Sequence, residues 1–187
     1  VTPTEQAQLE KEITEFSNDS PEHEKFIQIV NRIIDGGKNI HRIIHVNCGM
    51  GSYYAVCKKN FPHIEYIGYA SSKKSSDLCR SHWEYESFFY RKYNTLNKVL
   101  WMDTDLLVLS IKNDPVQEID QVLGPNFSNV VIPQIKLTQE NQEEIFSALF
   151  AKGYDHNFYF VDIEKNILCL VLSRLFLPED KENDKSI

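Results

Sequence analysis

The sequence predicts a three-layer α/β/α sandwich. A seven-stranded, mostly parallel sheet is expected, closed by a C-terminal antiparallel hairpin and preceded by N-terminal helices. Three observations predict it. Short apolar runs alternate with amphipathic stretches through the middle of the chain, the order of strands joined by crossover helices. The first of these runs, Ile43-Ile44-His45-Val46, ends in a glycine loop, Asn47-Cys48-Gly49-Met50-Gly51. The last two, Phe158-Tyr159-Phe160-Val161 and Ile167-Leu168-Cys169-Leu170-Val171, flank a tight turn at Glu164-Lys165-Asn166, so they pair antiparallel.

Two helices come first. Thr2-Pro3-Thr4-Glu5 combines a capping threonine, a proline at the first helical position and a glutamate, and Leu9, Ile13 and Phe16 follow on one face. Ser17-Asn18-Asp19-Ser20 breaks that helix, and Ser20-Pro21 starts a second. Phe26, Ile27, Val30, Ile33 and Ile34 give the second helix a wide apolar stripe, which Gly36-Gly37 ends. A strand over 42–46 follows, then a helix over 53–59, a strand over 64–69 and a helix over 71–83 with Ser72 as its cap. The run Asp105-Leu106-Leu107-Val108-Leu109-Ser110-Ile111 has the continuous apolar character of a buried parallel strand and is read as the fourth. The third lies before it, within 85–103, where Phe88-Phe89-Tyr90 and Val99-Leu100-Trp101-Met102 both compete. Asp114-Pro115 opens a helix through Ile119, Val122 and Leu123 that stops at Gly124. Asn129-Val130-Val131-Ile132 is a strand, and Thr138 caps a helix carrying Ile145, Phe146, Leu149 and Phe150. The whole reads as one domain over 1–187: helices over 1–37, the α/β core over 40–175, and a charged tail over 178–187 expected to fray.

Composition narrows the function. A chain of 187 residues with net charge −7 presents a field that opposes a phosphate backbone, so nucleic acid is not the expected partner. A small-molecule ligand or a protein partner is. The longest apolar run, Ile167-Leu168-Cys169-Leu170-Val171-Leu172, is too short to span a bilayer, and the N-terminal residues are unlike a secretory signal. Cys48, Cys57, Cys79 and Cys169 show no paired spacing; reduced, packed thiols in a cytoplasmic protein are expected, with no metal site.

In open α/β sheets, ligands bind beyond the carboxyl ends of the strands, where strand order reverses. The loop at 47–51 falls there. Gly49 and Gly51 let the backbone turn tightly and approach a ligand, and the helix after them aims its first N–H groups at the same place.

An apolar strand, a polar residue and Gly-x-Gly resemble motif I of class I S-adenosylmethionine-dependent methyltransferases. That family has a Rossmann-like sheet of six parallel strands and one antiparallel strand, matching the closing hairpin. Within it, residues 105–134, the following helix and the hairpin most resemble the FkbM-type branch. The resemblance covers about 40–175. It implies that Gly49 and Gly51 lie against the methionine part of S-adenosylmethionine, with Asn47 and Ser52 offering polar contacts and Cys48 and Met50 between them. It also places Ala70, Ser71 and Ser110 at the cofactor.

Three of these places depart from the family pattern. Ala70 stands where an acid usually accepts the ribose hydroxyls, a charge-assisted pair worth roughly 1.5–3 kcal/mol; Ser71 or Ser72 can substitute in part. Asn47 stands where motif I usually has an acid. Ser110 and Lys112 stand where the FkbM pattern has carboxylates. Two functions therefore remain open: methyl transfer to an unidentified acceptor, or a catalytically inactive domain of the same fold, a pseudoenzyme, used for binding or assembly. A nicotinamide-dinucleotide site is a poorer match, because Tyr54 replaces the third glycine. His41, His45, His63, His82 and His156 are scattered, and His45 is expected in the core. Asp103 and Asp105 are either an acid pair near the cleft or a strand start. Ser110 lacks a nucleophile elbow. Tyr53-Tyr54 and Phe88-Phe89-Tyr90 are expected to pack rather than stack on a ligand.

Overall fold

The computed structural model describes residues 2–17, 20–96, 101–124 and 127–174. The predicted break at Asn18-Asp19, the Val99-Leu100 run, the side chains of Leu9, Ile13 and Phe16, and the tail over 178–187 lie outside the described residues.

Helix α1 (Pro3–Ser17) opens on the expected reciprocal cap, in which Thr2 N donates to Glu5 and Glu5 N donates to Thr2 Oγ1. Helix α2 (Pro21–Asp35) is capped by Ser20, which accepts from His23 N, and buries Phe26, Ile29 and Val30. Then come β1 (Arg42–Val46), α3 (Ser52–Asn60), β2 (Glu65–Ala70), α4 (Lys73–His82), β3 (Phe88–Tyr90), α5 (Tyr93–Leu96), β4 (Asp105–Leu109), α6 (Pro115–Val122), β5 (Asn129–Lys136), α7 (Gln142–Ala151), β6 (Tyr154–Asp162) and β7 (Ile167–Arg174). Ser72 caps α4 and Asp114 caps α6, as their side chains predict.

The seven strands lie in the order β3-β2-β1-β4-β5-β7-β6. Strands β1 to β5 are parallel to their neighbours in that group, while β7 runs antiparallel to both β5 and β6. The third strand, which competing apolar runs leave undecided in the sequence, is the short edge strand Phe88–Tyr90 beside β2.

Alternation along the central strands sends side chains to two covered faces. Ile43, Leu106 and Val108 join Phe26, Tyr53, Cys57 and Cys79 under α2, α3 and α4. Ile44, Leu107 and Leu109 join Ile119, Val122 and Leu149 under α6 and α7. Covering both faces is why β4 is buried at every position. Strand β5 is longer than its apolar run suggests. It outreaches β4 and bends between Ile132 and Ile135, where Pro133 has no N–H to donate. Among the described residues no helix is long and apolar enough to cross a membrane.

Candidate cofactor cleft

Strand order reverses between β1 and β4: the chain runs outward to β2 and β3 on one side and to β5, β7 and β6 on the other. A cleft of about 240 Å³ opens above this point. Asn47, Cys48, Gly49, Met50, Ser52 and Ser110 line it, together with Glu22, His45, Tyr53 and Gln134. The predicted residues Gly51, Ala70 and Ser71 do not line it.

Each of those three has a definite place. Gly51 caps α3 in the left-handed region, with φ 88°, and the Trp83 indole lies so close that an added Cβ would stand 2.5 Å from Nε1. Ala70 is buried in the apolar cluster beneath the cleft. Ser71 is exposed, and its hydroxyl accepts a 3.1 Å bond from Lys112 Nζ. That bond ties the end of β2 to the loop after β4.

The glycine loop is held from behind. Trp83 Nε1 donates to the Met50 carbonyl at 2.8 Å, and the Cys48 and Cys79 thiols both approach the Gly49 carbonyl, at 3.8 and 3.4 Å. Asn47 and Gly49 take positive φ values of 58° and 56° to make the turn. The floor is a buried polar network. Asn47 Nδ2 donates to the Ser110 carbonyl at 2.8 Å and to Glu118 Oε1 at 3.1 Å. Glu118, only 4% exposed, also accepts the backbone N–H groups of Lys112 and Asn113, at 2.9 and 2.8 Å. A single carboxylate from the first turn of α6 thus fixes the loop after β4, where the helix N-terminus favours negative charge.

His45 is the buried residue that its position in the first strand predicts. Its ring sits against Tyr53 and Tyr66, and desolvation lowers its pKa to about 3. It is a neutral hydrogen-bonding group at physiological pH, and its low pKa makes it a weak base. Cys48 stays a thiol, pushed well up by its hydrogen bond with Cys79 and by burial. Tyr53 is likewise pushed well up, by desolvation first and the nearby Glu22 second. Glu22 is the carboxylate among the residues lining the cleft, and the Tyr53 hydroxyl donates to its Oε1. No group of side chains suited to a metal ion occurs among the described residues.

Asp103 and Asp105 do not form an acid pair at the cleft. Asp105 starts β4 at the opposite edge of the sheet, where Arg42 donates to both its oxygens at 2.9 and 2.7 Å. Tyr54 and Phe88 pack with Tyr66 and Trp83 and Phe89 packs on Tyr69, as expected, whereas Tyr90 is exposed and the buried Tyr53 also lines the cleft. Sequence reasoning missed Glu22, Gln134 and Glu118. Gln134 could have been suspected from Pro133, which marks an irregular strand end. Nothing local in the sequence connects Glu22 with the loop at 47–51.

No protein-family model matches the sequence, and no curated protein matches it. Solved structures do match it in fold. The methyltransferase domain of bacterial CtHen1-CN superposes with a TM-score of 0.60 at 13% identity, covering 81% of this chain and 99% of that one. CalS10 with bound S-adenosylmethionine, an amino pentose methyltransferase from Micromonospora echinaspora involved in calicheamicin biosynthesis, gives 0.60 at 11% identity, covering 87% and 96%. The human methyltransferase 10 domain containing protein gives 0.57 at 9% identity, covering 82% of each chain. With this strand order and these neighbours, the chain has the Rossmann-like fold of class I S-adenosylmethionine-dependent methyltransferases.

Proposed function

We propose that the chain binds S-adenosylmethionine in the cleft above β1 and β4 and transfers its methyl group to an acceptor. The observation that carries this reading is the cleft itself. It lies at the strand-order reversal and is lined by Asn47, Cys48, Gly49, Met50 and Ser52, the loop singled out from sequence. Its volume is below the roughly 300–1,000 Å³ of pockets that enclose a drug-sized ligand. It suits the amino-acid end of the cofactor, with the nucleoside lying outward toward Ser71 and Lys112. S-adenosylmethionine bound there would supply a methyl group activated by its sulfonium, leaving a neutral thioether once an acceptor lone pair took the methyl and any acceptor proton passed to water. The domain supplies positioning, which accounts for much of the rate of such displacements. The four free, buried cysteines suit a reducing, cytoplasmic setting.

A second reading has its own support. Ala70 brings no carboxylate to the end of β2, and the Lys112 ammonium is held against Ser71 beside it. Those features suit a domain that keeps the fold for binding or assembly without methyl transfer.

Titration of the pure protein with S-adenosylmethionine and S-adenosylhomocysteine, by calorimetry and thermal shift, tests the first reading. Micromolar binding is expected. Absence of any shift at millimolar concentrations of both ligands would overturn it in favour of the second.

A further inference from the structure

The carboxylate in this cleft comes from outside the strand–loop–helix unit that builds the rest of it. Glu22 stands in the first turn of α2, capped by Ser20 and packed on α3 through His23 and Phe26, which both meet the Tyr53 ring edge-on at centroid distances of 5.1 and 4.8 Å. Tyr53 is buried, and its ring also lies 4.9 Å from His45. Its hydroxyl is therefore a fixed donor, and it anchors Oε1 of Glu22. The other oxygen, Oε2, makes no hydrogen bond among the described residues. His45 is neutral, and the Asn47 side-chain NH₂ is engaged with Glu118 and the Ser110 carbonyl. The cleft thus presents one oriented carboxylate oxygen and no cationic side chain among its lining residues.

We infer that Glu22, positioned by Tyr53, binds the α-ammonium group of the ligand's amino-acid end. This rests on the proposal that S-adenosylmethionine occupies the cleft. The ammonium suits the site better than the sulfonium does, because it carries N–H donors that a carboxylate oxygen can accept. The sulfonium carries none. Helix α2 then serves as part of the ligand site as well as a cover for the sheet.

The test uses three ligands and three proteins. S-adenosylmethionine and S-adenosylhomocysteine share the ammonium, whereas 5′-methylthioadenosine lacks the amino-acid end. Glu22→Gln should raise the dissociation constants of the first two by about tenfold to a hundredfold, the range expected for loss of a charge-assisted hydrogen bond. It should leave 5′-methylthioadenosine unchanged, which a purely structural role for Glu22 would not do. Glu22→Asp keeps the charge and should recover part of the loss, while Tyr53→Phe should weaken the same two ligands by a smaller factor. Equal binding of both S-adenosylmethionine and S-adenosylhomocysteine by wild type and Glu22→Gln overturns the assignment of Glu22 alone. A loss confined to S-adenosylmethionine overturns the ammonium in favour of the sulfonium. If wild type binds none of the three, the cofactor reading fails and this inference falls with it.

Discussion

The Nδ1 atom of His45 lies 2.8 Å from the Tyr66 hydroxyl, in the interior of the sheet face beneath the cleft. On the other side of the ring, Nε2 lies 2.7 Å from Ser110 Oγ. One ring nitrogen donates and the other accepts, so the neutral imidazole is satisfied at both ends.

This arrangement makes stability depend on pH. Unfolded, His45 takes a proton below a pH of about 6.5. Folded, desolvation holds its pKa at about 3. Between those values the unfolded state binds more protons, so stability rises with pH across the window. The contribution of His45 is complete above the unfolded pKa and is lost progressively as pH falls toward the folded one. Lowering pH from about 7.5 to about 5 should cost about 2 kcal/mol from this group. Urea unfolding at several pH values measures it. His45→Gln should flatten the slope, and an unchanged slope would show that another group carries it.

The glycine loop should be sensitive to one methyl group. Gly51→Ala places a Cβ 2.5 Å from Trp83 Nε1 and 2.8 Å from Trp83 Cδ1, at a φ of 88° that L side chains rarely adopt. The combined strain should destabilise the protein by about 2–4 kcal/mol. Trp83→Phe removes the indole bond to the Met50 carbonyl, worth about 0.5–1.5 kcal/mol, together with part of the ring that packs on Tyr54. In the double variant the two losses should be less than additive, because relief of the clash offsets part of the first. Full additivity in thermal or urea unfolding would contradict the crowding.

Glu118 should matter to both stability and ligand binding. Glu118→Gln puts an amide NH₂ where an oxygen now accepts from Asn47, Lys112 or Asn113. One buried donor is then left facing another, at a cost of about 2–3 kcal/mol. The segment after β4 carries Ser110 into the cleft, so affinity for S-adenosylhomocysteine should fall as well. Calorimetry on the folded variant separates the two effects; unaltered affinity would detach Glu118 from the site.

The ion pair at the far edge provides the contrast. Asp105→Ala removes the carboxylate that grips the part-buried Arg42 guanidinium and the acceptor for Met102 N. It should lower stability by about 2 kcal/mol, somewhat less than for a fully buried pair because Arg42 reaches solvent. Ligand affinity should not change, since the pair lies at the opposite ends of β1 and β4 from the cleft. A large loss of binding would mean that the two edges are coupled through the sheet.

Most of the fold was legible before the structure because its signals are local. Ser20-Pro21, Ser72 and Asp114-Pro115 start helices by hydrogen-bonding the orphan N–H groups next to them. Ile43, Ile44 and Val46 of β1 and Leu106–Leu109 of β4 make near-continuous apolar runs because both sheet faces are covered. The edge strand Phe88–Tyr90 was not resolved from its competitor, since three residues carry too little periodicity to distinguish strand from loop. Its assignment depends on pairing with Gly68, Tyr69 and Ala70.

By itself the sequence determined the sheet, its closing hairpin and the loop from Asn47 to Gly51, because capping, patterning and turn chemistry act over a few residues. Tertiary structure decided which groups share the cleft. Glu22 arrives there on α2 by packing against Tyr53 and Gln134 by the irregular extension of β5, while Glu118 from α6 holds the loop beneath the cleft. The same packing turned Ala70 into the core and set Ser71 against Lys112. A side chain's partners across the fold depend on how helices dock on the sheet, and that docking is a sum of many nonlocal contacts that no short motif encodes.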